Sequence, residues 1–283
     1  MAAVTIDLIK ELRDRTGAGI MDCKKALLAT DGDVEKAIDF LREKGIAKAA
    51  SKASRTAAEG LAAFRICEKC GHKAAIVEVN CETDFVSASD KFHALVESVL
   101  DVIMEKEPAT VEEARELTAH LFADATVAMG EKFDLRRFEI VKITDGQSFG
   151  VYSHMNGKIG VLVAFEGDAS EVAKPIAMSI AANNPSYITL EDVPAADRER
   201  ERGVAAAEVA ADPKLAGKPE AMLNNIIERK VDKVLSTSCL TLQGYILDPN
   251  QTVGQVLKEK GLKINKFFRY QVGEGIAKAA DAE

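Results

Sequence analysis

The chain contains no tryptophan, and only 5% of its 283 residues are aromatic. A row of stacking rings for single-stranded nucleic acid is therefore missing. Positive charge is also in deficit. Lys and Arg total 37 against 45 Asp and Glu, a formal net charge of -8, which opposes a surface built to neutralise phosphates. Apolar residues make up an ordinary 47%, yet no run is long enough to cross a membrane. The first residues, Met1 to Asp7, lack the basic and apolar regions of an export signal, so the expected location is the cytoplasm. Five cysteines, an odd number without such a signal, argue against a disulfide framework.

Catalytic signatures are missing too. There is no G-x-S-x-G elbow and no H-E-x-x-H, and His93 and His120 fall within helical segments. The stretch Thr16 to Lys25 contains glycines and opens a helix, but it lacks phosphate-loop spacing and a preceding strand. A tight turn between helices is the better reading. With no constellation resembling an active site, the chain reads as a binding protein rather than an enzyme, needing no cofactor.

What is there is an α+β pattern. Residues 1–55 read as a head of three short helices and a linker. Thr5 caps Ile6, Ile9 and Leu12, Ile20 to Thr30 form the second helix, and Asp33 opens a third with Val34, Ala37, Ile38 and Leu41. The Ala-, Lys- and Ser-rich tail from Lys44 to Arg55 has no apolar stripe and reads as the linker. Residues 56–139 form a first core unit: a hairpin from Gly60 to Asn80, a helix from Ser87 and another from Thr110. A second unit over 140–262 recurs in similar order. It opens on a strand from Arg137 to Ile143, contains the hairpin Phe149 to Phe165, and continues into a helix from Ser170 to Ala182. The expectation is a duplicated core of two antiparallel sheets, each covered by helices on one face. An antiparallel helical hairpin is inserted over 191–236. Leu240 to Ile246 reads as strand, Asp248-Pro249 as a turn, and Thr252 as a helix cap. Residues 263–283 form a short terminal module, a strand followed by a short helix after Gly275.

Two features stand out. Cys67-Glu-Lys-Cys70-Gly-His72, in the hairpin turn, has the spacing of a zinc knuckle. His72 and Cys81 are the other candidate ligands, at an unusual spacing for a closed four-ligand site. A redox pair wants a helix start to lower a thiol pKa, which a turn does not offer. Ordinary hairpin thiols are the leading reading. The other feature is Phe85, a large ring in a loop after the buried strand Ala75 to Val79. It either folds back as a hydrophobic staple on the helix from Ser87 or reaches outward. Spacing leaves both open.

The segments Leu12-Arg13-x-x-Thr16-Gly-Ala-Gly-Ile-Met-Asp-Cys-Lys-Lys-Ala-Leu27 and Glu78-Val-Asn-Cys-Glu-Thr-Asp-Phe-Val86 resemble the two signatures of the elongation factor Ts family. His154 with Gly157 to Val163, Asp248 to Gly254, and Arg269 to Gly275 extend the likeness in the same order along nearly the whole chain. The resemblance implies a guanine-nucleotide exchange factor for elongation factor Tu, with a UBA-like head. It implies that Thr83, Asp84, Phe85 and Val86 dislocate the partner's magnesium ion. Leu12, Arg13, Met21, Lys24, His154 and Gly157 are the partner-binding residues it suggests, and His154 matches a family histidine at the partner interface. Self-association through the helical hairpin is a further expectation, and no direct contact with nucleic acid or membrane is expected. The rival reading is a zinc- or thiol-containing RNA-binding regulator using the head and the cysteine hairpin.

Overall fold

Short polar side chains set the starts of the N-terminal helices. In the computed structural model, which describes residues 4–215 and 217–277, Thr5 accepts from the Leu8 amide at the start of α1 (Ile6–Thr16). Gly17, at φ +66, closes that helix; the left-handed conformation suits glycine. α2 (Ile20–Ala29) follows, and Asp33 caps α3 (Val34–Lys52) by accepting from the Lys36 amide. Leu12, Cys23, Ala26, Leu27, Ala37 and Leu41 form the head's core, which Val127 joins.

The linker expected over Lys44 to Arg55 is instead mostly helix, because α3 runs on to Lys52. A Cβ placed on Gly45 would lie 2.6 Å from the Ala123 carbonyl oxygen. Close backbone approach between small residues holds this part of α3, and such packing leaves no apolar stripe to read.

The first sheet consists of β1 (Glu59–Ile66), β2 (Lys73–Cys81) and β3 (Asp134–Lys142), in the order β1-β2-β3. Both pairings are antiparallel, Glu59 opposite Cys81 and Lys73 opposite Lys142. Between β2 and β3 come α4 (Asp84–Ser87), α5 (Asp90–Lys106) and α6 (Val111–Met129). Phe92, Val96, Val99, Leu100 and Ile103 of α5 pack with Val77, Val79 and Leu135 of the sheet. Two expectations are corrected here. The strand expected over Arg137 to Ile143 does not open the second unit but completes the first sheet. The helix expected from Ser87 is two helices: Thr83 caps α4, and Ser89 caps α5. Ser87 is buried and donates to the Asp84 carbonyl, so its hydroxyl is already engaged inside the first turn.

The second half of the chain supplies β4 (Gln147–His154), β5 (Ile159–Glu166), α7 (Ala173–Asn183), α8 (Ala195–Ala211), α9 (Glu220–Ser236), β6 (Gly244–Tyr245), β7 (Asp248–Thr252), α10 (Val253–Glu259) and β8 (Lys263–Gln271). The second sheet has the order β4-β5-β8. The strand assigned to a terminal module is thus the third strand of this sheet. In each sheet a hairpin is followed by helices and then by a strand that returns beside the hairpin's second strand. The two sheets share that strand order. α8 and α9 form the inserted helical hairpin, with Val209, Ile227, Val231 and Leu235 buried in its own apolar cluster.

The strand expected over Leu240 to Ile246 is short. Leu240–Leu242 is a 3-10 turn, and only Gly244–Tyr245 is strand, paired with β7. The Leu240 and Thr241 amides donate to the Tyr187 and Ile188 carbonyls, which fixes the 3-10 turn. Asp248-Pro249, expected as a turn, begins β7. The helix expected after Gly275 falls largely on residues outside those described. The chain divides into two compact units. One runs through Lys142 and adds Ser153–Gly160 and the chain from Tyr270; the other comprises Ile143–Tyr152 and Val161–Arg269.

Candidate partner-binding site

β2 is buried along nearly its whole length and ends at Cys81, whose thiol burial pushes up to about 12. Directly after it the chain reverses through α4. Thr83 accepts from the Val86 amide at 3.3 Å, and the Asp84 carboxylate accepts from the Phe85 amide at 2.9 Å. Val86 packs against the core of the first sheet. Phe85 does not, and remains 86% exposed. A staple would bury the ring on the following helix, so that reading is set aside. Exposing a ring forgoes about 1.5–3 kcal/mol of burial free energy.

The tip is clamped from β3's approach loop. Glu131 accepts from the amides of Glu82 at 2.9 Å and Thr83 at 3.1 Å, and from the Thr83 hydroxyl at 2.6 Å. In return Glu82 accepts from the Lys132 amide at 2.7 Å and pairs with Arg55 at 3.2 Å. Lys132 Nζ donates to the carbonyls of Ala53 and Arg55. Charge-assisted bonds of this kind hold geometry more firmly than neutral ones. The exposed ring therefore stands on a fixed mount.

A groove of about 660 Å³ runs beside the tip, its lining including Leu61, Asp84, Ser87, His93, Met155 and Gly157. The turn bearing His154 is locked onto β1. The Ala62 amide donates to the Gly157 carbonyl at 2.7 Å, and Lys158 Nζ donates to Glu59 at 2.7 Å and lies 3.3 Å from the Ser87 hydroxyl. Gly157 sits at φ +85, where a Cβ would meet Leu61 at 2.7 Å. The position demands glycine. His154 is exposed beside Met155, itself 65% exposed.

The structure thus brings Asp84 of the tip and Met155, Asn156 and Gly157 of the turn to one groove, while Thr83, Phe85, Val86 and His154 are not among its lining residues. The head residues lie elsewhere in the same unit. Arg13, Met21 and Lys24 are exposed on α1 and α2. Leu12 is wholly buried in the head's core and offers no surface to a partner; its role is packing. Ile20 and Leu28 were missed, although both are exposed beside Met21. The signal was available: α2 has more apolar residues than the single face that Cys23, Ala26 and Leu27 bury.

Glu131 and Glu78 were also missed. Glu78 is completely buried in β2 and accepts from Arg136 at 3.0 Å, Arg137 at 2.6 Å and the Gly273 amide at 2.8 Å. Arg137 also stacks on the Tyr270 ring at 4.2 Å, and burial pushes the Tyr270 hydroxyl's pKa up. This buried carboxylate fastens the Tyr270–Glu274 segment to the first sheet.

The zinc reading meets a geometric obstacle. Cys67 precedes β2 and Cys81 ends it, so about eight strand steps, or roughly 26 Å, separate the two ends of the strand. His72 is exposed at the turn. Among the described residues no group of three or more His, Cys, Asp or Glu could hold a metal ion.

The family model described as Elongation factor TS matches residues 82–274. Elongation factor Ts of Lactiplantibacillus plantarum is 46% identical, over 99% of this chain and 96% of its own length. Elongation factor Ts of Limosilactobacillus reuteri is 45% identical over the same shares. A clamped Thr-Asp-Phe-Val tip, a glycine-dependent His154 turn and likeness over nearly the entire length agree, and the chain belongs to the elongation factor Ts family.

Proposed function

We propose that this chain is the guanine-nucleotide exchange factor of elongation factor Tu in the cytoplasm, and that Thr83, Asp84, Phe85 and Val86 act on the partner's magnesium site. The observation that carries the reading is an 86% exposed Phe85 on a tip that a carboxylate holds by two backbone amides and the Thr83 hydroxyl.

Nucleotide affinity in such GTPases depends on magnesium bridging the phosphates and on the loop groups around them. A rigid ring inserted into the partner stabilises a conformation in which those ligands are misplaced, without touching the nucleotide. Linkage then makes the effect reciprocal: the factor weakens nucleotide binding by the same ratio that nucleotide weakens binding of the factor. Asp84 adds negative charge at the tip. The groove between Asp84 and Met155 receives an apolar element of the partner, with His154 at its rim. Arg13, Met21 and Lys24 on the head, together with Ile20 and Leu28, make a second contact. No covalent bond changes, so no catalytic residues are assigned.

Val204, Met222 and Val234 are exposed on the helical hairpin, which supports self-association there; sedimentation over a concentration series measures it. The rival reading as an RNA-binding regulator finds no support. A net charge of -8 opposes phosphate binding, and the cysteine turn lacks the ligands for a closed zinc site. Among the described residues no helix is long and apolar enough to cross a membrane.

The test is release of fluorescent GDP from purified elongation factor Tu with and without this chain. Acceleration at substoichiometric amounts is expected. An unchanged release rate would refute the reading.

A further inference from the structure

The five cysteines fall into two classes. Cys23, Cys81 and Cys239 are buried, and desolvation raises the pKa of each. Cys67 is half-buried and Cys70 exposed, both at the tip of the β1–β2 hairpin. The tip is a closed turn: the Cys67 amide donates to the Lys73 carbonyl at 2.7 Å, and the Gly71 amide donates to the Cys67 carbonyl at 2.8 Å. Gly71 sits at φ +66 with nothing near its missing Cβ. This turn folds residue 70 back over residue 67. The Cys70 thiol beside it, then the backbone amides of Cys70 and Lys69, favour the Cys67 thiolate and lower its pKa from the ordinary thiol value. The amides supply the electropositive setting that a helix start gives in other Cys-x-x-Cys pairs.

We propose that Cys67 and Cys70 form a reversible thiol–disulfide exchange site that takes low-molecular-weight disulfides. The Cys67 thiolate attacks one sulfur of the external disulfide, forming a mixed disulfide and releasing one thiolate. The Cys70 thiolate then attacks the Cys67 sulfur, closing the Cys67–Cys70 bond and releasing the second. The protein loses two electrons and two protons, and the external disulfide is reduced to two thiols. Cys67 is the attacking sulfur because the turn favours its thiolate, and Cys70, three residues on in the same turn, is the resolving one. The site lies at the opposite end of β2 from Phe85 and does not depend on the exchange activity.

The test equilibrates the reduced full chain with mixtures of reduced and oxidised glutathione and reads intact mass and peptide maps. The wild type should lose two hydrogen masses, confined to the peptide holding Cys67 and Cys70. Cys70→Ser should trap one glutathione on Cys67, at least about tenfold faster than Cys81 reacts in the native chain, as exposure and thiolate fraction dictate. Cys67→Ser should remove the fast phase. The proposal is overturned if Cys67 and Cys70 react no faster than the buried three. It is equally overturned if Cys70→Ser and Cys67→Ser trap glutathione alike, or if the purified chain carries a metal that a chelator must strip before the thiols respond.

Discussion

The two ends of β2 present opposite solutions to exposure. At the Cys81 end the thiol is buried and inert, while the aromatic ring four residues on is held out in solvent by a carboxylate clamp. At the Lys73 end no ring is offered, and a half-buried thiol and an exposed one sit on a closed turn. One strand, buried almost throughout, carries both. Burial of the strand makes each end a rigid mount, and the local hydrogen bonds decide what is mounted. An exposed Phe on a loose loop would collapse onto the nearest apolar surface; Glu131 prevents that.

The comparison is broken most severely in the middle of the strand. Glu78→Ala removes the carboxylate that Arg136, Arg137 and Gly273 share. Both arginines keep partial access to water, so the loss of stability should be about 2–3 kcal/mol, below the value for a fully buried pair. Urea unfolding measures it, and protection of the Gly273 amide from hydrogen exchange should fall with it.

The next effects are confined to single ends. Phe85→Ala should slow catalysed GDP release by about 30-fold, corresponding to the ~2 kcal/mol of a hot-spot anchor. Because the ring is exposed, its urea midpoint should stay that of the wild type. Glu131→Gln keeps the shape but weakens the bonds to Glu82 and Thr83, at a cost of about 1–2 kcal/mol, read as a Tm lower by a few degrees and a drop in exchange rate smaller than that of Phe85→Ala.

The smallest effect lies at the thiol end. The Lys142 and Lys73 ammonium groups hold the Glu107 carboxyl down at about 2, against an ordinary 4.5. A carboxyl with a depressed folded pKa stabilises the fold above its unfolded value and loses that contribution as pH falls toward the folded one. Stability should therefore decline between about pH 4.5 and 2, and Glu107→Gln should flatten part of that decline in an acid titration followed by circular dichroism.

Much of this was legible in the sequence. Thr5, Asp33, Thr110 and Thr252 cap the helices expected of them, because an N-cap is a local contract between one side chain and the next turn. The hairpins and the α8–α9 insertion could be read from alternation and from Pro and Gly breaks. Pairing partners were not. Alternation marks a strand over Arg137 to Ile143 but does not say that it lies beside β2, and the same holds for β8. Ser87 and Ser89 are equal candidates as caps until Thr83 is seen to start a turn of its own. α3 beyond Lys44 was hidden because Ala and Gly pack through backbone proximity. Leu12 was assigned to a partner on resemblance, although its place in the helical period already put it in the core. Glu131 lies 48 residues from Thr83, and no local pattern announces a clamp at that distance.

The central claim, that the Glu131 clamp acts through Phe85, is tested by stopped-flow GDP release with Phe85→Ala, Glu131→Gln and the double variant. Coupled residues should fail to add: the double variant should release GDP no more slowly than Phe85→Ala alone. Full additivity of the two losses would contradict it, as would a Phe85→Ala rate equal to that of the wild type.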